Sequence, residues 1–144
     1  MALFSNSQVL VPIDFSEEAF KALDEALSFV DGPSHLHAIH VLSRLEPTEP
    51  GLVWKTIDAQ SRQDNVNQAF YSRSDKPEYK DIHLEIVHGD PSSEIIDYAK
   101  EHNMSLIVIP SHGRTGLGRF LLGSVSERVI RFSHCPVLVL RRGD

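Results

Sequence analysis

The stretch Leu106-Ile-Val-Ile109-Pro110-Ser-His112-Gly113-Arg114-Thr-Gly116-Leu-Gly118-Arg119-Phe-Leu-Leu-Gly123-Ser124-Val125 joins an apolar run to a helical pattern through a glycine-rich loop. The run Leu106 to Ile109 reads as a short buried strand. Glycines let backbone N–H groups turn inward with no Cβ in the way. A helix N-terminus adds unsatisfied N–H donors and a partial positive charge, so strand, glycine loop and helix together form a phosphate cradle. Residues 110 to 142 also carry six arginines against one acid, Glu127. That local balance of +5 leaves −11 for the rest of a chain whose formal net charge is −6. An anion is drawn to this end and repelled elsewhere.

Working outward, the same strand-then-helix pattern recurs along the chain. Gln8 to Ile13 is an apolar run ending near Pro12, where a ladder donor can be spared. Ser16 then reads as an N-cap with Glu17 and Glu18 in the first turn. Ala19, Leu23, Ala26, Leu27 and Val30 are the expected buried stripe, and Gly32-Pro33 the stop. His35 to Leu42 and Ile82 to Val87 read as the second and third strands. Asp90-Pro91 opens the next helix with a cap and a proline at the first position, and Ile95, Ile96 and Ala99 form its apolar side. Ser124-Val-Ser-Glu127 has the form of a capping box, with Val125, Val129 and Phe132 expected buried behind it. Pro136 to Leu140 is a fifth strand. Residues 43 to 80 are ambiguous, with a loop around Pro47, Pro50 and Gly51 and a helix over roughly 53 to 74.

Alternating strands and helices imply an α/β fold: an open, five-stranded parallel sheet of Rossmann-like type, order 3-2-1-4-5, with helices on both faces. With 144 residues and no linker, one domain over 1–144 is expected. Such a sheet has a switch point between its first and fourth strands, and ligands bind there outside the carboxyl ends. The segments that meet at that point are Pro12-Ile13-Asp14-Phe15-Ser16 and Pro110 to Gly123. A carboxylate thus faces an anion cradle, and a carboxylate can accept from the two hydroxyls of a ribose. The plainer role for Asp14 is a loop acid supporting the following helix. For Ser124 it is a helix cap, and for Gly116 and Gly118 turn glycines. Arg114 and Arg119 are surface charges unless phosphate brings them in.

Composition excludes other classes. Hydrophobic content of 41% and charged content of 24% are ordinary for a globular chain. The acidic net charge and the lack of interleaved aromatics in the basic stretch oppose nucleic-acid binding. No apolar run approaches 18 residues, so no membrane span is expected, and the N-terminus has no signal-peptide pattern. With a single cysteine, Cys135, these features point to the cytoplasm. Eight histidines raise a metal site, but no Cys partner or HExxH spacing accompanies them, and no metal ligand set is expected. Cys135 reads as a small buried hydrophobe.

At this point the residues resemble the universal stress protein family over nearly the whole chain. The matching features are Val11-Pro-Ile-Asp14-Phe-Ser16, His40-Val41, Gly89-Asp-Pro91, Ser111-His-Gly113-Arg-Thr-Gly116, Leu122-Gly-Ser-Val125 and Cys135-Pro-Val-Leu-Val139. ATP-binding members carry glycine, two residues, glycine, nine residues, then glycine with serine or threonine. Gly113 and Gly123-Ser124 keep that spacing, with nine residues between the glycines. Pro110 replaces the first glycine. A contact through its carbonyl survives, whereas one through an amide does not. The resemblance implies that Asp14 holds the ribose and that the backbones of Pro12, Val41 and Ile109 line the adenine. It implies phosphate contacts from the amides of Gly113, Gly123, Ser124 and Val125, assisted by the Ser124 hydroxyl. Ile13, Pro110, His112, Arg114 and Gly116 complete the candidate set.

The expected ligand is ATP, with or without Mg²⁺, with AMP and ADP as alternatives. The expected role is a nucleotide-dependent stress-response switch rather than an enzyme. A slow nucleotide hydrolase or phosphotransfer enzyme is the second possibility, although GxxxxGK[ST], GxGxxG and an acid–base set are all absent. A dimerising module with an empty pocket is the third, and Pro110 is its best support. The last strand should lie at a sheet edge, where an apolar run needs cover. A homodimer through Pro136, Val137, Leu138, Val139 and Leu140 supplies it, and the resemblance implies the same arrangement. A downstream protein partner is expected but not identified.

Overall fold

The computed structural model describes residues 7–42, 55–73, 77–110 and 123–140. Among these residues five strands and four helices alternate: β1 (Val9–Pro12), α1 (Glu17–Leu27), β2 (Leu36–Leu42), α2 (Lys55–Arg73), β3 (His83–His88), α3 (Pro91–Glu101), β4 (Leu106–Pro110), α4 (Ser124–Phe132) and β5 (Val137–Leu140). Short 3-10 turns precede β2 (Pro33–His35) and β3 (Pro77–Asp81). All strand pairs are parallel and the order is β3-β2-β1-β4-β5. In register, Val9 lies opposite both Leu36 and Leu106, and Pro110 lies opposite Leu140.

Side-chain alternation divides the strands between two cores. Val9, Val11 and Ile13, with Leu36, Ala38, Leu106 and Val108, pack against Ala19, Phe20, Leu23 and Ala26 of α1. Phe70 of α2 and Tyr79 close that face. Their rings lie 5.5 Å apart, and Phe20 is 6.2 Å from Phe70. On the other face Leu10, Ile39, Ile107 and Ile109 pack with Ile95, Tyr98 and Ala99 of α3 and Val129 of α4. Helices therefore cover both faces, and the central strands are buried on both sides, as a parallel sheet requires.

Ser16 caps α1 as expected, its hydroxyl accepting from the Ala19 amide at 3.1 Å. The stop differs from expectation. α1 ends at Leu27 rather than running to Gly32, because the Ser28 and Phe29 amides bond back to Glu25 and Ala26 in a tighter turn. The Ser28 hydroxyl reinforces it by donating to the Glu25 carbonyl at 2.6 Å. Val30 therefore lies beyond the helix and is only partly buried.

α4 departs further. Gly123, not Ser124, is its N-cap, so Ser124 is the first helical residue and no capping box forms. The Glu127 carboxylate instead accepts from Arg131 one turn on, at 3.1 Å. Of the expected stripe only Val129 is buried; Val125 is 37% and Phe132 58% exposed. α4 connects β4 to the edge strand β5, and of its apolar stripe one side chain reaches the core of the described residues.

Candidate functional site

The end of β1 is tied to β2 at two points. The Ile13 amide donates to the Ile39 carbonyl at 2.8 Å. The Ile13 carbonyl accepts from Nδ1 of His40 at 2.6 Å. The chain then turns sharply. Oδ1 of Asp14 accepts from the Ser16 amide at 3.0 Å, closing an aspartate turn, and Phe15 takes φ 65°. The Phe15 ring is set edge-on against Phe20 at 5.7 Å and His40 at 5.0 Å. Asp14 is thereby placed, half-buried, at the carboxyl end of β1.

β2 runs past the last paired residue of β1, Pro12, which lies opposite Ile39. In a parallel strand the N–H and C=O of one residue face the same neighbour, and the next residue faces the other. The Ile39 carbonyl bonds Ile13 of β1, whereas the Leu42 carbonyl accepts from the Gly89 amide after β3. That alternation turns the main chain of Val41 toward the space beyond β1.

β4 ends at Ile109 and Pro110 beside the same space, on the far side of β1. α4 begins with Gly123 in an extended conformation, φ −64° and ψ 158°, with no side chain capping its first turn. A Cβ built on Gly123 meets no atom of the described residues within 4 Å, so packing against them does not demand glycine there. Ser124 and Val125 are exposed in the first turn. Of the candidate residues the structure thus places Pro12, Ile13, Asp14, Val41, Ile109 and Pro110 at the carboxyl ends of β1, β2 and β4. It places Gly123, Ser124 and Val125 at the start of α4. His112, Gly113, Arg114 and Gly116 lie outside the described residues.

Asp90 anchors the neighbouring corner. It caps α3, and its Oδ2 accepts from the Ser93 amide and from the Ser92 and Ser93 hydroxyls at 2.9–3.1 Å. Those bonds, led by the Ser93 amide and aided by Arg128 at 3.8 Å, hold its carboxyl below the usual range. Gly89 reaches the cap with φ 145°, and a Cβ there would stand 2.5 Å from Oε1 of Glu94. The pairing of Arg128 with Asp90 and of Arg131 with Glu127 partly neutralises two of the arginines counted as anion-steering charge.

Among the described residues no group of three His, Cys, Asp or Glu can hold a metal ion. His35, His37, His83 and His102 gather instead at the amino end of the sheet, away from the candidate site. Nε2 of His37 donates to Oε1 of Gln8 at 2.9 Å, and Nδ1 accepts from the Tyr98 hydroxyl at 2.8 Å. The Gln8 amide in turn donates to Nδ1 of His35 at 3.2 Å. Burial, then the nearby His83 and His102, lowers the His37 pKa to about 4, against an opposing pull from Glu85. Cys135 is half-buried at the edge of the second core, its amide bonded to the Ser133 hydroxyl. His40 and Phe15, which the candidate set left out, are the residues packed around the Asp14 turn. The available signal was period-two alternation, which puts His40 on the Ala38 face of β2, toward α1.

Among the described residues no helix is long and apolar enough to cross a membrane. The family model for the universal stress protein family matches residues 6–141. Universal stress protein MJ0531 of Methanocaldococcus jannaschii is 31% identical over 141 residues, which span 94% of this chain and 82% of that protein. Universal stress protein YxiE of Bacillus subtilis is 32% identical over 146 residues, spanning 94% and 99%. The solved structure of the hypothetical protein MJ0577 superposes with a TM-score of 0.71 at 29% identity, covering 99% of each chain. The five-stranded parallel order and these likenesses agree, and the chain belongs to the universal stress protein family.

Proposed function

We propose that this chain is an adenine-nucleotide-binding regulatory protein whose ligand is ATP and which acts as a homodimeric switch rather than as an enzyme. One observation supports the proposal: β1 and β4 are neighbours at the switch point of the sheet, β1 leads into the Asp14 turn, and α4, the next helix after β4, starts at Gly123 with no side-chain cap. Asp14 would accept from the ribose hydroxyls. The main chain of Val41, turned toward the space beyond β1, would read the adenine edge beside Pro12, Ile13 and Ile109. The amides of Gly123, Ser124 and Val125, at the positive end of the α4 dipole, would hold phosphate oxygens. No atom of the described residues stands where a Cβ of residue 123 would lie, which suits an approaching phosphate, and the Ser124 hydroxyl does not serve as a helix cap. His112, Gly113, Arg114 and Gly116 would complete the cradle, with Pro110 contributing only its carbonyl. Mg²⁺ would arrive with the phosphates.

The chain has no P-loop lysine pattern and no acid–base set beside the cradle, which supports binding over turnover. The homodimer rests on β5. It is the sheet edge, and all four of its residues, Val137 to Leu140, are only partly buried. Antiparallel pairing with a second copy would cover it. A cytoplasmic location accords with the single cysteine. Mass spectrometry of small molecules released from the purified protein tests the ligand class. An adenine nucleotide in stoichiometric amount is the expected outcome. Release of a different ligand class in stoichiometric amount contradicts the proposal.

A further inference from the structure

On β2, beside the Asp14 turn and on the side of β1 away from β4, sits a side chain that the nucleotide proposal does not use. His40 lies one strand away from Asp14, yet it touches the Asp14 turn twice. Its Nδ1 donates to the Ile13 carbonyl at 2.6 Å, and its ring meets the Phe15 ring edge-on at 5.0 Å. Phe15 is one of two non-glycine residues with positive φ among the described residues, the other being Asn103. Such a conformation persists only where neighbouring contacts over-determine it. Six contacts at three residues do so here. Ile13 is held from β2 through its amide and its carbonyl, Phe15 is flanked by Phe20 and His40, and Ser16 is fixed by Asp14 and by its bond to Ala19.

His40 is the contact that comes from outside the β1–α1 segment and grips both the residue before Asp14 and the residue after it. The Ile13 carbonyl would ordinarily continue the ladder to a backbone amide of β2. The His40 side chain takes that carbonyl instead. The ladder stops there, and the chain is released into the turn that presents Asp14.

We infer that His40 is a positioning residue: it sets the Asp14 turn, and so governs recognition of the nucleoside part of the ligand while leaving phosphate recognition unchanged. This inference rests on the nucleotide proposal for its ligand arm, but its structural arm does not. The side chain that matters is a donor at the δ position. Asparagine carries an N–H donor at that position, phenylalanine carries the ring without the donor, and glutamine moves the donor one atom further out.

The experiment compares wild type, His40→Asn and His40→Phe in two ways. Calorimetry measures ATP, adenosine and inorganic tripolyphosphate binding. Amide hydrogen exchange of Ser16 and Ala19, the two amides bonded inside the turn, is followed in the ligand-free proteins. His40→Phe is expected to weaken ATP and adenosine alike by about tenfold, the scale of one lost hydrogen bond. It should leave tripolyphosphate affinity unchanged and speed exchange at Ser16. His40→Asn is expected to stay within about threefold of wild type for each ligand, a cost below that of one lost hydrogen bond. A His40→Phe protein with wild-type exchange at Ser16, or one that loses tripolyphosphate as strongly as adenosine, overturns the inference. So does an Asn variant as weak as the Phe variant.

If wild type binds neither ATP nor adenosine, the nucleotide proposal fails, and the exchange comparison still decides the role of His40. If His40→Phe does not fold, His40→Gln replaces it with the same expected losses.

Discussion

Asp14 has two tasks that chemistry can separate. Its Oδ1 closes the turn by accepting from the Ser16 amide, and its negative charge would serve the ribose hydroxyls. Asparagine keeps an acceptor at Oδ1 and removes the charge. Asp14→Asn should therefore retain wild-type stability in a urea titration yet weaken ATP binding by about 1–3 kcal/mol, the range of a lost charge-assisted hydrogen bond. Calorimetry and the urea midpoint together check this. A large fall in stability with unchanged affinity would make Asp14 a turn residue and nothing more. The same residue shows where sequence legibility ends. That an acid follows Val11-Pro12-Ile13 could be read directly. That Phe15 would turn at φ 65° under His40 could not, because the contact joins residues 25 apart and no local pattern records it.

Elements were legible where one local rule governed them. Ser16 before two glutamates capped α1, and Asp90-Pro91 opened α3, as their chemistry requires. The rule failed at α4, where Ser124 and Glu127 stand at capping-box spacing but Gly123 takes the cap position and leaves the hydroxyl inside the helix. Spacing alone cannot tell whether the chain enters a helix one residue earlier. The loop before it, 111–122, lies outside the described residues. The aromatic pair Phe70 and Tyr79 was missed because α2 has weak periodicity and Tyr79 sits on a 3-10 turn.

The starts of β1, β2 and β3 and the end of α3 also share a titration. His37 is bonded in its neutral form between Gln8 and Tyr98, with His83 at 5.0 Å and Tyr98 itself stacked on His102 at 3.9 Å. Its pKa falls from the ordinary 6.5 to about 4, so between those values the unfolded chain binds a proton that the folded chain refuses. Stability should therefore be full above about pH 6.5 and decline as pH falls toward 4. The ring is partly exposed, so solvent screening reduces the effect to on the order of 1 kcal/mol. Urea unfolding of wild type and His37→Gln across that window checks it. The variant should show the shallower pH slope, and parallel slopes would remove His37 from the account.

At the scale of the whole molecule, the parallel order 3-2-1-4-5 was legible because each apolar run was short, bounded by a cap or a proline, and separated by a helical pattern. What single-chain sequence patterns cannot record is which apolar surface meets another copy. β5 leaves Val137 and Val139 half-buried at the edge, and Ile130 and Phe132 of the preceding helix are exposed. Under the dimer proposal, a second copy paired on β5 would cover that edge. Sedimentation equilibrium at micromolar concentration should give about twice the chain mass of 16.2 kDa, and Val139→Asp should move it toward one chain or to aggregate. A wild-type mass of one chain would remove the dimer from the proposal without touching the pocket.

On the proposed reading, a nucleoside held at Asp14 and phosphates held at the start of α4 belong to one ligand spanning β1 and β4. Parallel calorimetric titrations of the wild-type protein with ATP and with adenosine decide whether they do. Both ligands should bind at one site per chain, and ATP should bind more tightly, because only ATP would reach the amides of Gly123, Ser124 and Val125. Equal affinities would mean that the helix N-terminus plays no part in recognition, and absence of binding by both would overturn the nucleotide site.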